Sequence, residues 1–305
     1  MDMPQSAALI PVLLSCDLNY LQHAAACIAS LATNNPSHRF HVIIAGSQDF
    51  SPAARKINST LGAFKNVRFQ IIKFDMLSKL TLPLRIHYSI ETYTRLWIAD
   101  FFADYNRALF LDPDLIVTSA IDELWNADLA NRTVAAVPIP GSTRPAQLGM
   151  TAGSPYLQSG VMVFNLQRWR ELRYTERCLK ILSESPEKVI DADQDILNLC
   201  LEGDWTALAY YWNVISPFFI HMHDLGLSGS EIAAIRRDAR IIHFNGISKP
   251  WSYMSRHPRR TEYWKYLQMT EWRDYTPPDR SALNWAKKYF GPFIPEVVRA
   301  RLQRG

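Results

Sequence analysis

Two aspartates, Asp112 and Asp114, follow an apolar run and are spaced in a way that suggests metal chemistry. The run at residues 107–117 predicts a strand covered on both faces, and side chains two positions apart in a strand lie on one side. Neighbouring carboxylates repel each other and lose hydration there, so a divalent cation between them would stabilise the pair. The alternative is a strand-end turn, which aspartate followed by Pro113 commonly forms.

The Asp-x-Asp pattern alone does not identify a metal site. Asp191, Asp193 and Asp195 repeat the same spacing later in the chain. The elements around each pair must therefore decide which aspartates do chemistry.

Strand and helix patterns alternate through the first half of the chain. Apolar runs predict strands at 10–15, 40–46 and 67–74, and helical spacing predicts helices at 20–33, 51–61 and 89–102. After the acidic strand the same patterns predict strands at 133–137, 161–165 and 240–244, with helices at 168–184 and 194–201. Such alternation indicates parallel pairing in a doubly wound α/β sheet, whose ligands bind at the carboxyl ends of the strands.

The composition indicates a globular protein of a reducing compartment. The chain has 305 residues and is 48% hydrophobic, and its four cysteines form no CxxC pair. We find no apolar run as long as a membrane span, and Asp2 stands where a signal peptide would carry basic residues. These features predict a cytoplasmic location.

The formal net charge of +4 lies in the last thirty residues, which contain six basic and two acidic side chains. The remaining chain is therefore neutral, which disfavours a nucleic-acid-binding face. We predict a domain at residues 1–275 and a basic, aromatic tail at residues 276–305. Its mixture of Trp285, Tyr289 and basic residues fits peripheral binding to the inner membrane face, and a terminal helix packed on the domain is the alternative.

The first predicted strand ends in polar residues that suit a nucleotide. Asp17 and Asn19 could bind a uracil edge and a ribose hydroxyl, and Tyr20 could stack on the base. The alternative is a cap for the following helix. A GxGxxG turn is absent from the sequence, which disfavours a Rossmann dehydrogenase.

The chain contains six ordered motifs: CDLNY at 16–20, SIETYTRL at 89–96, LFLDPD at 109–114, SGVMVFNL at 159–166, DQDILN at 193–198 and IHFNGISKPW at 242–251. Their order resembles that seen in glycosyltransferase family 8. The chain resembles the bacterial galactosyl- and glucosyltransferases of that family that build lipopolysaccharide and lipooligosaccharide cores, and more distantly glycogenin. This resemblance, over about residues 9–255, implies one nucleotide-diphosphosugar transferase domain of the GT-A type, Rossmann-like, with a mixed, mainly parallel sheet.

The resemblance implies a metal and nucleotide site. Asp112, Asp114 and His243 would bind Mn²⁺ or Mg²⁺ on the diphosphate of a UDP-sugar, an assignment that suits hard oxygen ligands with one imidazole. The other nucleotide-binding residues would be Cys16, Asp17, Asn19, Tyr20, Asp112, Pro113, Gly246 and Lys249. Taken alone, His243 would more simply be a hydrogen-bonded histidine at a strand end.

The resemblance also implies sites for the two sugars. Arg95, Gln158 and Asp193 would bind the donor sugar, and Gln158 stands where the family usually has asparagine. Gln194 and Asp195 would be catalytic, with Asp195 the nearby carboxylate, although a helix-capping role is the alternative for Asp195. Arg95 could otherwise be an exposed surface residue. His87 would lie on the acceptor side or be an ordinary loop histidine.

The activity implied is retaining transfer of galactose or glucose from UDP-galactose or UDP-glucose to a glycan or glycolipid acceptor. Two alternatives share the fold: a glycogenin-like enzyme that glycosylates one of its own thirteen tyrosines, and a non-catalytic protein that binds sugar nucleotides or glycans. A nucleotidyltransferase is disfavoured because residues 11–20 contain neither glycine nor a basic residue for a phosphate loop.

Overall fold

Parallel strands and crossover helices build the first part of the chain, as the alternating patterns predict. The computed structural model describes residues 9–76, 89–220, 225–246 and 248–290. Within those ranges, no helix combines the length and apolar character needed to cross a membrane.

The strands are β1 (Leu9–Ser15), β2 (Arg39–Gly46), β3 (Val67–Lys73), β4 (Arg107–Leu111), β5 (Leu115–Val117), β6 (Val134–Pro138), β7 (Leu157–Asn165), β8 (Trp205–Ala207), β9 (Val214–Ile215) and β10 (Ile241–His243). The helices are α1 (Leu21–Asn34), α2 (Ala54–Gly62), α3 (Ile98–Phe101), α4 (Asp122–Trp125), α5 (Arg144–Leu148), α6 (Leu166–Glu171), α7 (Tyr174–Glu184), α8 (Ala192–Cys200), α9 (Gly229–Arg237), α10 (Arg260–Leu267) and α11 (Ala282–Phe290).

The larger sheet has the strand order β3-β2-β1-β4-β7-β6-β8. Strands β3, β2, β1 and β4 run parallel, β7 is antiparallel to β4 and β6, and β8 is parallel to β6. The prediction of a mixed, mainly parallel sheet is therefore confirmed. The carboxyl ends of β1, β2 and β4 meet at one edge, where ligands bind in sheets of this kind.

A smaller sheet, β5-β10-β9, lies beyond that edge. Strand β10 is antiparallel to β5 and parallel to β9. Helix α1 packs against β5, α2 and α10. Most residues of α1 are buried, and several of them are small, including Ala24, Ala25 and Ala26. Neighbouring elements can therefore pack close to the helix backbone.

The acidic segment at residues 107–117 is not one strand, so that part of the prediction is wrong. β4 ends at Leu111 in the larger sheet, and β5 begins at Leu115 in the smaller one. The backbone N–H of Asp112 donates to the carbonyl of Gly160 at 2.8 Å, and that of Phe244 donates to the carbonyl of Asp114 at 2.9 Å. The aspartates thus lie in a turn that joins two sheets.

Two predicted helices also differ from the structure. The segment at 89–102 is a 3₁₀ helix over Ile90–Trp97 followed by α3, and its three-residue repeat aligns Arg95 with Thr92. The segment at 168–184 is broken into α6 and α7, because Arg173 takes a left-handed conformation with φ of +53°. Local helical spacing does not reveal either change.

The described part of the tail contacts the domain. Asp279 accepts hydrogen bonds from the backbone N–H groups of Tyr253 and Met254, and Lys288 Nζ donates to the carbonyl of Tyr253 at 2.6 Å. Helix α11 has no buried residue and exposes Leu283, Trp285, Tyr289 and Phe290. The domain boundary at residue 275 stays a prediction.

Candidate functional site

Asp112, Asp114 and His243 come together at the junction of the two sheets. His243 Nε2 lies 3.2 Å from Asp114 Oδ1 and 3.5 Å from Asp112 Oδ2. One ligand atom from each residue lies within 4.8 Å of the other two. Two carboxylates and an imidazole in this arrangement suit a divalent metal such as manganese.

Gly160 makes this approach possible. A Cβ atom at residue 160 would lie 2.3 Å from His243 Cε1 and 2.6 Å from Asp112 Oδ2. Both distances are far inside van der Waals contact, so any other residue would push the candidate ligands apart. The sequence motif included Gly160 but gave it no role.

Lys249 neutralises the carboxylate of Asp114. Its ammonium forms an ion pair with Asp114 Oδ2 and donates to the carbonyl of Phe244 at 2.9 Å. Burial raises the pKa of Asp114, but the charge of Lys249 and the contact with His243 outweigh burial and hold that pKa well below its usual range. Asp114 is therefore ionised at neutral pH.

Arg95 is buried rather than exposed, which corrects the surface alternative. Its Nη2 donates to Asp112 Oδ1 at 2.8 Å, its Nη1 donates to the carbonyl of Ser159, and its Nε lies 2.9 Å from Asp193 Oδ2. The guanidinium also stacks over the Phe110 ring, 4.0 Å from its centroid. One cation thus joins the candidate metal site to the start of α8.

Asp193 has a raised pKa and an oxygen without a donor. Burial raises its pKa to about 6 despite the neighbouring charge of Arg95. Thr92 Oγ1 donates to Asp193 Oδ1. Arg95 Nε donates instead to the carbonyl of Thr92 at 3.1 Å, so Asp193 Oδ2 accepts no hydrogen bond from the described residues. Within the described part of the chain, that oxygen is therefore held by its ion pair with Arg95 alone.

Gln194 lies beside β7. Its Oε1 accepts a hydrogen bond from the backbone N–H of Ser159 at 3.1 Å. Helix α8 starts at Ala192, whose φ of +48° is costly for a residue with a side chain. The backbone just before Asp193 and Gln194 is thus held in an unusual conformation.

Asp195 is saturated with hydrogen bonds. Its carboxylate accepts from Arg144 Nε at 2.9 Å and Nη2 at 2.6 Å, and from the Tyr156 hydroxyl at 2.7 Å. The backbone N–H groups of Ile190 and Asp191 each donate to Oδ2 at 2.7 Å. A carboxylate whose lone pairs are engaged in this way is a poor nucleophile.

Gln158 faces the metal site instead of open space. Its Oε1 accepts from the backbone N–H of Gly160 at 2.7 Å and from Asn213 Nδ2. Asn213 Oδ1 lies 3.0 Å from His243 Nδ1. The sequence analysis missed Asn213, because a lone asparagine between two short elements carries no signal for this contact.

The residues predicted to bind the nucleotide base follow β1. Asp17 Oδ1 accepts from the Tyr20 backbone N–H at 2.8 Å in the turn before α1, and the Asn19 amide lies 3.3 Å from Asp17 Oδ2. Helix α1 itself has Tyr20 as its N-cap residue and no side-chain capping hydrogen bond, so the helix-capping alternative is wrong. Cys16 is buried and its N–H donates to the carbonyl of Ala45. The side chain of Cys16 is therefore not available to a ligand.

Lys249 lies between Asp114 and the residues predicted to bind the nucleotide base. It lies 6.0 Å from the Tyr20 ring and 5.6 Å from the Trp251 ring. Gly246 has φ of +74°, a conformation that strains other residues. Pro113 is half-buried between the two aspartates. His87 lies outside the described residues.

A histidine that the sequence analysis overlooked supports Trp251. His23 stacks on the Trp251 ring with centroids 3.5 Å apart, and its Nδ1 lies 2.6 Å from the Tyr263 hydroxyl. Burial lowers the pKa of His23 to about 3, so it is neutral at physiological pH. It therefore packs as an aromatic ring.

A cavity of about 320 Å³ opens beside Asp195 and the smaller sheet. Its lining includes Pro140, Arg144, Gln147, Ile215 and Pro217. Arg144 belongs both to this lining and to the Asp195 ion pair. The cavity and the start of α8 thus share one side chain.

Comparison with known proteins identifies the chain as a glycosyltransferase. Residues 11–255 match the model of the family described as "Glycosyl transferase family 8". This chain therefore belongs to glycosyltransferase family 8, which confirms the family resemblance and the prediction of an enzyme.

Curated relatives cover most of the chain. It is 28% identical over 277 residues to General stress protein A of Bacillus subtilis, covering 87% of this chain and 96% of that protein. It is 26% identical over 285 residues to the lipopolysaccharide 1,2-glucosyltransferase of Escherichia coli K12, covering 90% and 82%. The match to glycosyltransferase GlyA of Streptococcus pneumoniae, at 28% identity, covers 86% of this chain but 35% of that longer protein.

Among solved structures, the chain is similar to the galactosyltransferase LgtC in complex with donor and acceptor sugar analogues. The TM-score is 0.73 at 23% sequence identity, over 87% of this chain and 99% of LgtC. This likeness supports the GT-A type of fold.

Proposed function

We propose that this protein transfers a hexose, galactose or glucose, from a UDP-sugar to a glycan acceptor with retention of anomeric configuration. The observation that carries the proposal is the convergence of Asp112, Asp114 and His243 at the sheet edge. Loss of one of them would have favoured a non-catalytic sugar-binding protein, and all three are in place.

The charges around this group suit a metal diphosphate. Asp112, Asp114 and Asp193 supply three carboxylates, and Arg95 and Lys249 supply two cations. The two aspartates and His243 would hold Mn²⁺ or Mg²⁺. When bound, that metal would supply positive charge for the nucleoside diphosphate as it leaves.

The chain's own residues would orient the donor. Lys249 is near enough to the Tyr20 and Trp251 rings to reach a diphosphate whose base lies against Tyr20. Asp193 Oδ2 would accept a hydrogen bond from a sugar hydroxyl, and Arg95 would hold Asp193 and Asp112 in a fixed relation. Gln194 would lie near the reacting carbon.

We infer that the acceptor attacks from the face that the diphosphate leaves. Retention requires either this path or a covalent intermediate on an enzyme carboxylate. Asp195 would be the nearby nucleophile, but its oxygens accept five hydrogen bonds. The cavity beside Arg144 would take the acceptor, and the lipopolysaccharide transferases among the relatives suggest an oligosaccharide of that kind.

The test is incubation of the protein with Mn²⁺ and a panel of UDP-sugars, with donor hydrolysis as the readout. Hydrolysis of UDP-galactose or UDP-glucose that is abolished by chelator supports the proposal. Asp114→Asn should lower turnover at least about a thousandfold, since several kcal/mol of charge stabilisation depend on the metal. The exposed Asp274→Asn is the matched control and should keep full activity.

Two outcomes would contradict the proposal. Hydrolysis by Asp114→Asn at the wild-type rate in chelator would exclude a metal held by this residue. A mass increase of the protein by one or more hexoses would favour the glycogenin-like alternative, in which a tyrosine of the chain is the acceptor.

We also propose that the C-terminal segment binds the inner face of the cytoplasmic membrane. Helix α11 exposes Trp285, Tyr289 and Phe290 next to Lys287, and the net positive charge of the chain lies in this segment. Truncation after Ser281 retains Asp279, which holds Tyr253, and should abolish binding to anionic vesicles while donor hydrolysis continues. Equal vesicle binding by the full-length and truncated proteins would support the packed-helix alternative.

A further inference from the structure

We propose that Asn213 and Gln158 are positioning residues that hold His243 in the tautomer able to bind a metal. The inference rests on the proposed metal site and assigns Gln158 a role other than contact with the donor sugar. Its basis is one hydrogen-bond chain that begins at a backbone amide and ends at His243.

The direction of the chain is fixed at its start. The backbone N–H of Gly160 can only donate, and it lies 2.7 Å from the Gln158 side-chain atom assigned as Oε1. An amide nitrogen at that position would set two donors against each other. The backbone therefore requires the oxygen of Gln158 to point toward Gly160 and Asn213.

The same argument orients Asn213. Because the Gln158 oxygen is an acceptor, Asn213 must present its NH₂ group to it. The Asn213 oxygen then faces His243 Nδ1 at 3.0 Å. A carbonyl oxygen can only accept, so His243 Nδ1 must carry the proton.

The consequence lies on the other side of the imidazole. With Nδ1 bonded to Asn213, the ring turns Nε2 toward Asp112 Oδ2 and Asp114 Oδ1, which lie 3.5 and 3.2 Å away, so Nε2 would be the atom that binds a metal. Hydrogen bonding of the second ring nitrogen is a general way to orient a histidine ligand. Here a neutral relay of two amides does so without adding charge to the site.

The length of Gln158 is essential to the relay. It spans from β7 to Asn213, which precedes β9, while also reaching the N–H of Gly160 two residues along its own strand. The register between β6 and β7 shifts where Val137 pairs with Gln158, so this strand is locally irregular. An asparagine at 158 is shorter by one methylene and would not reach Asn213 while keeping the Gly160 contact.

Two measurements on the intact protein test the relay. Long-range ¹H–¹⁵N spectra of the metal-free protein report which ring nitrogens of His243 carry a proton, and we expect a proton on Nδ1. Titration with Mn²⁺ alone, followed by the electron paramagnetic resonance signal of the free ion, reports the metal Kd. Asn213→Leu should raise that Kd by about 10- to 100-fold, the usual effect of removing a partner that orients a ligand.

Variants at 158 separate the relay from ordinary packing. Gln158→Glu retains an acceptor and should keep the Nδ1–H form, whereas Gln158→Met removes it and should weaken Mn²⁺ binding. Gln158→Asn should weaken Mn²⁺ binding both in the presence of UDP-glucose and in the presence of UDP-galactose. A double-mutant cycle of Gln158→Met with Asn213→Leu should be non-additive, because both act through His243.

Asn35→Leu is the matched control. Asn35 and Asn213 are each 1% exposed, but Asn35 bonds backbone groups of residues 31 and 121 instead of the site. Asn35→Leu should lower the melting temperature and leave the Mn²⁺ Kd unchanged. If Asn213→Leu does not fold, Gln158→Met at the far end of the chain carries the same test.

The proposal is overturned if wild-type His243 is in the Nε2–H form, or if folded Asn213→Leu and Gln158→Met bind Mn²⁺ like the wild type. Failure of the proposed function is a separate result, in which the wild-type protein does not bind Mn²⁺ at all. The tautomer measurement needs no metal and therefore distinguishes the two failures.

Discussion

Asp193 and Asp195 lie two positions apart on α8, and both are buried, yet their surroundings are opposite. Burial raises the pKa of Asp193 to about 6, and one of its oxygens accepts no hydrogen bond from the described residues. Burial also raises the pKa of Asp195, but Arg144, Tyr156 and two backbone N–H groups outweigh it, so that pKa lies below its usual value. The positions of the two side chains on the helix explain this difference, because side chains two residues apart point about 200° apart around the helix axis.

The comparison teaches that burial alone does not define a functional carboxylate. Asp193 has fewer hydrogen-bond donors than its oxygens can accept from, and its Oδ2 is held by the charge of Arg95. Asp195 has all of its donors supplied by the protein and is suited to hold α8, α5 and the chain at 190–191 together.

The largest effect should follow from Asp195→Asn. An amide nitrogen would face donors that now reach a carboxylate, and Arg144 would lose its counter-ion. Breaking a buried pair of this kind costs about 3 to 5 kcal/mol of unfolding free energy. Urea unfolding measures the loss, and the exposed Glu176→Gln, which removes an ion pair with Arg173, should change stability by less than about 0.5 kcal/mol. Equal stability of Asp195→Asn and wild type would contradict the anchoring role.

A smaller effect should appear in the pH dependence of Asp193. Its folded pKa of about 6 exceeds the ordinary value of 3.8, so the folded state binds more protons than the unfolded state between these pH values. The contribution of Asp193 to stability therefore falls as pH rises from about 4 through 6, by on the order of 2 to 3 kcal/mol. Asp193→Asn removes this term.

The measurement is unfolding free energy at pH 4 and pH 7 for both proteins. The unfolding free energy of the wild type minus that of Asp193→Asn should be larger at pH 4 than at pH 7. A constant difference between the two proteins across this range would show that Asp193 does not titrate with a raised pKa.

The smallest effect should come from Tyr156→Phe. This change removes one of the five donors to Asp195 and leaves the aromatic ring in place. We expect a loss of about 1.5 to 2 kcal/mol, the lower end of the range for a hydrogen bond to a charged group, because four other donors to Asp195 remain. The exposed Tyr289→Phe is the control. A loss as large as that of Asp195→Asn would mean that the hydroxyl, and not the ion pair, holds this region.

Much of the fold could be predicted from local pattern. The parallel strands β1, β2 and β3 and the helices between them follow directly from apolar runs and helical spacing. The division of residues 107–117 between two sheets could not be predicted in this way, because its cause is pairing with β7 and β10, far along the chain. The 3₁₀ conformation of Ile90–Trp97 could not be predicted for the same reason, because Arg95 is held there by the distant residues Asp112 and Asp193.

The sequence by itself determined the family and the candidate metal ligands, because Asp112, Asp114 and His243 lie in ordered motifs that can be recognised from the sequence alone. Only the tertiary structure decided what surrounds them. Gln158 and Asn213 are 55 residues apart, and Asn213 and His243 are 30 apart, yet they form one hydrogen-bond chain. Single hydrogen bonds between distant residues depend on the packing of whole elements, and no local spacing encodes them.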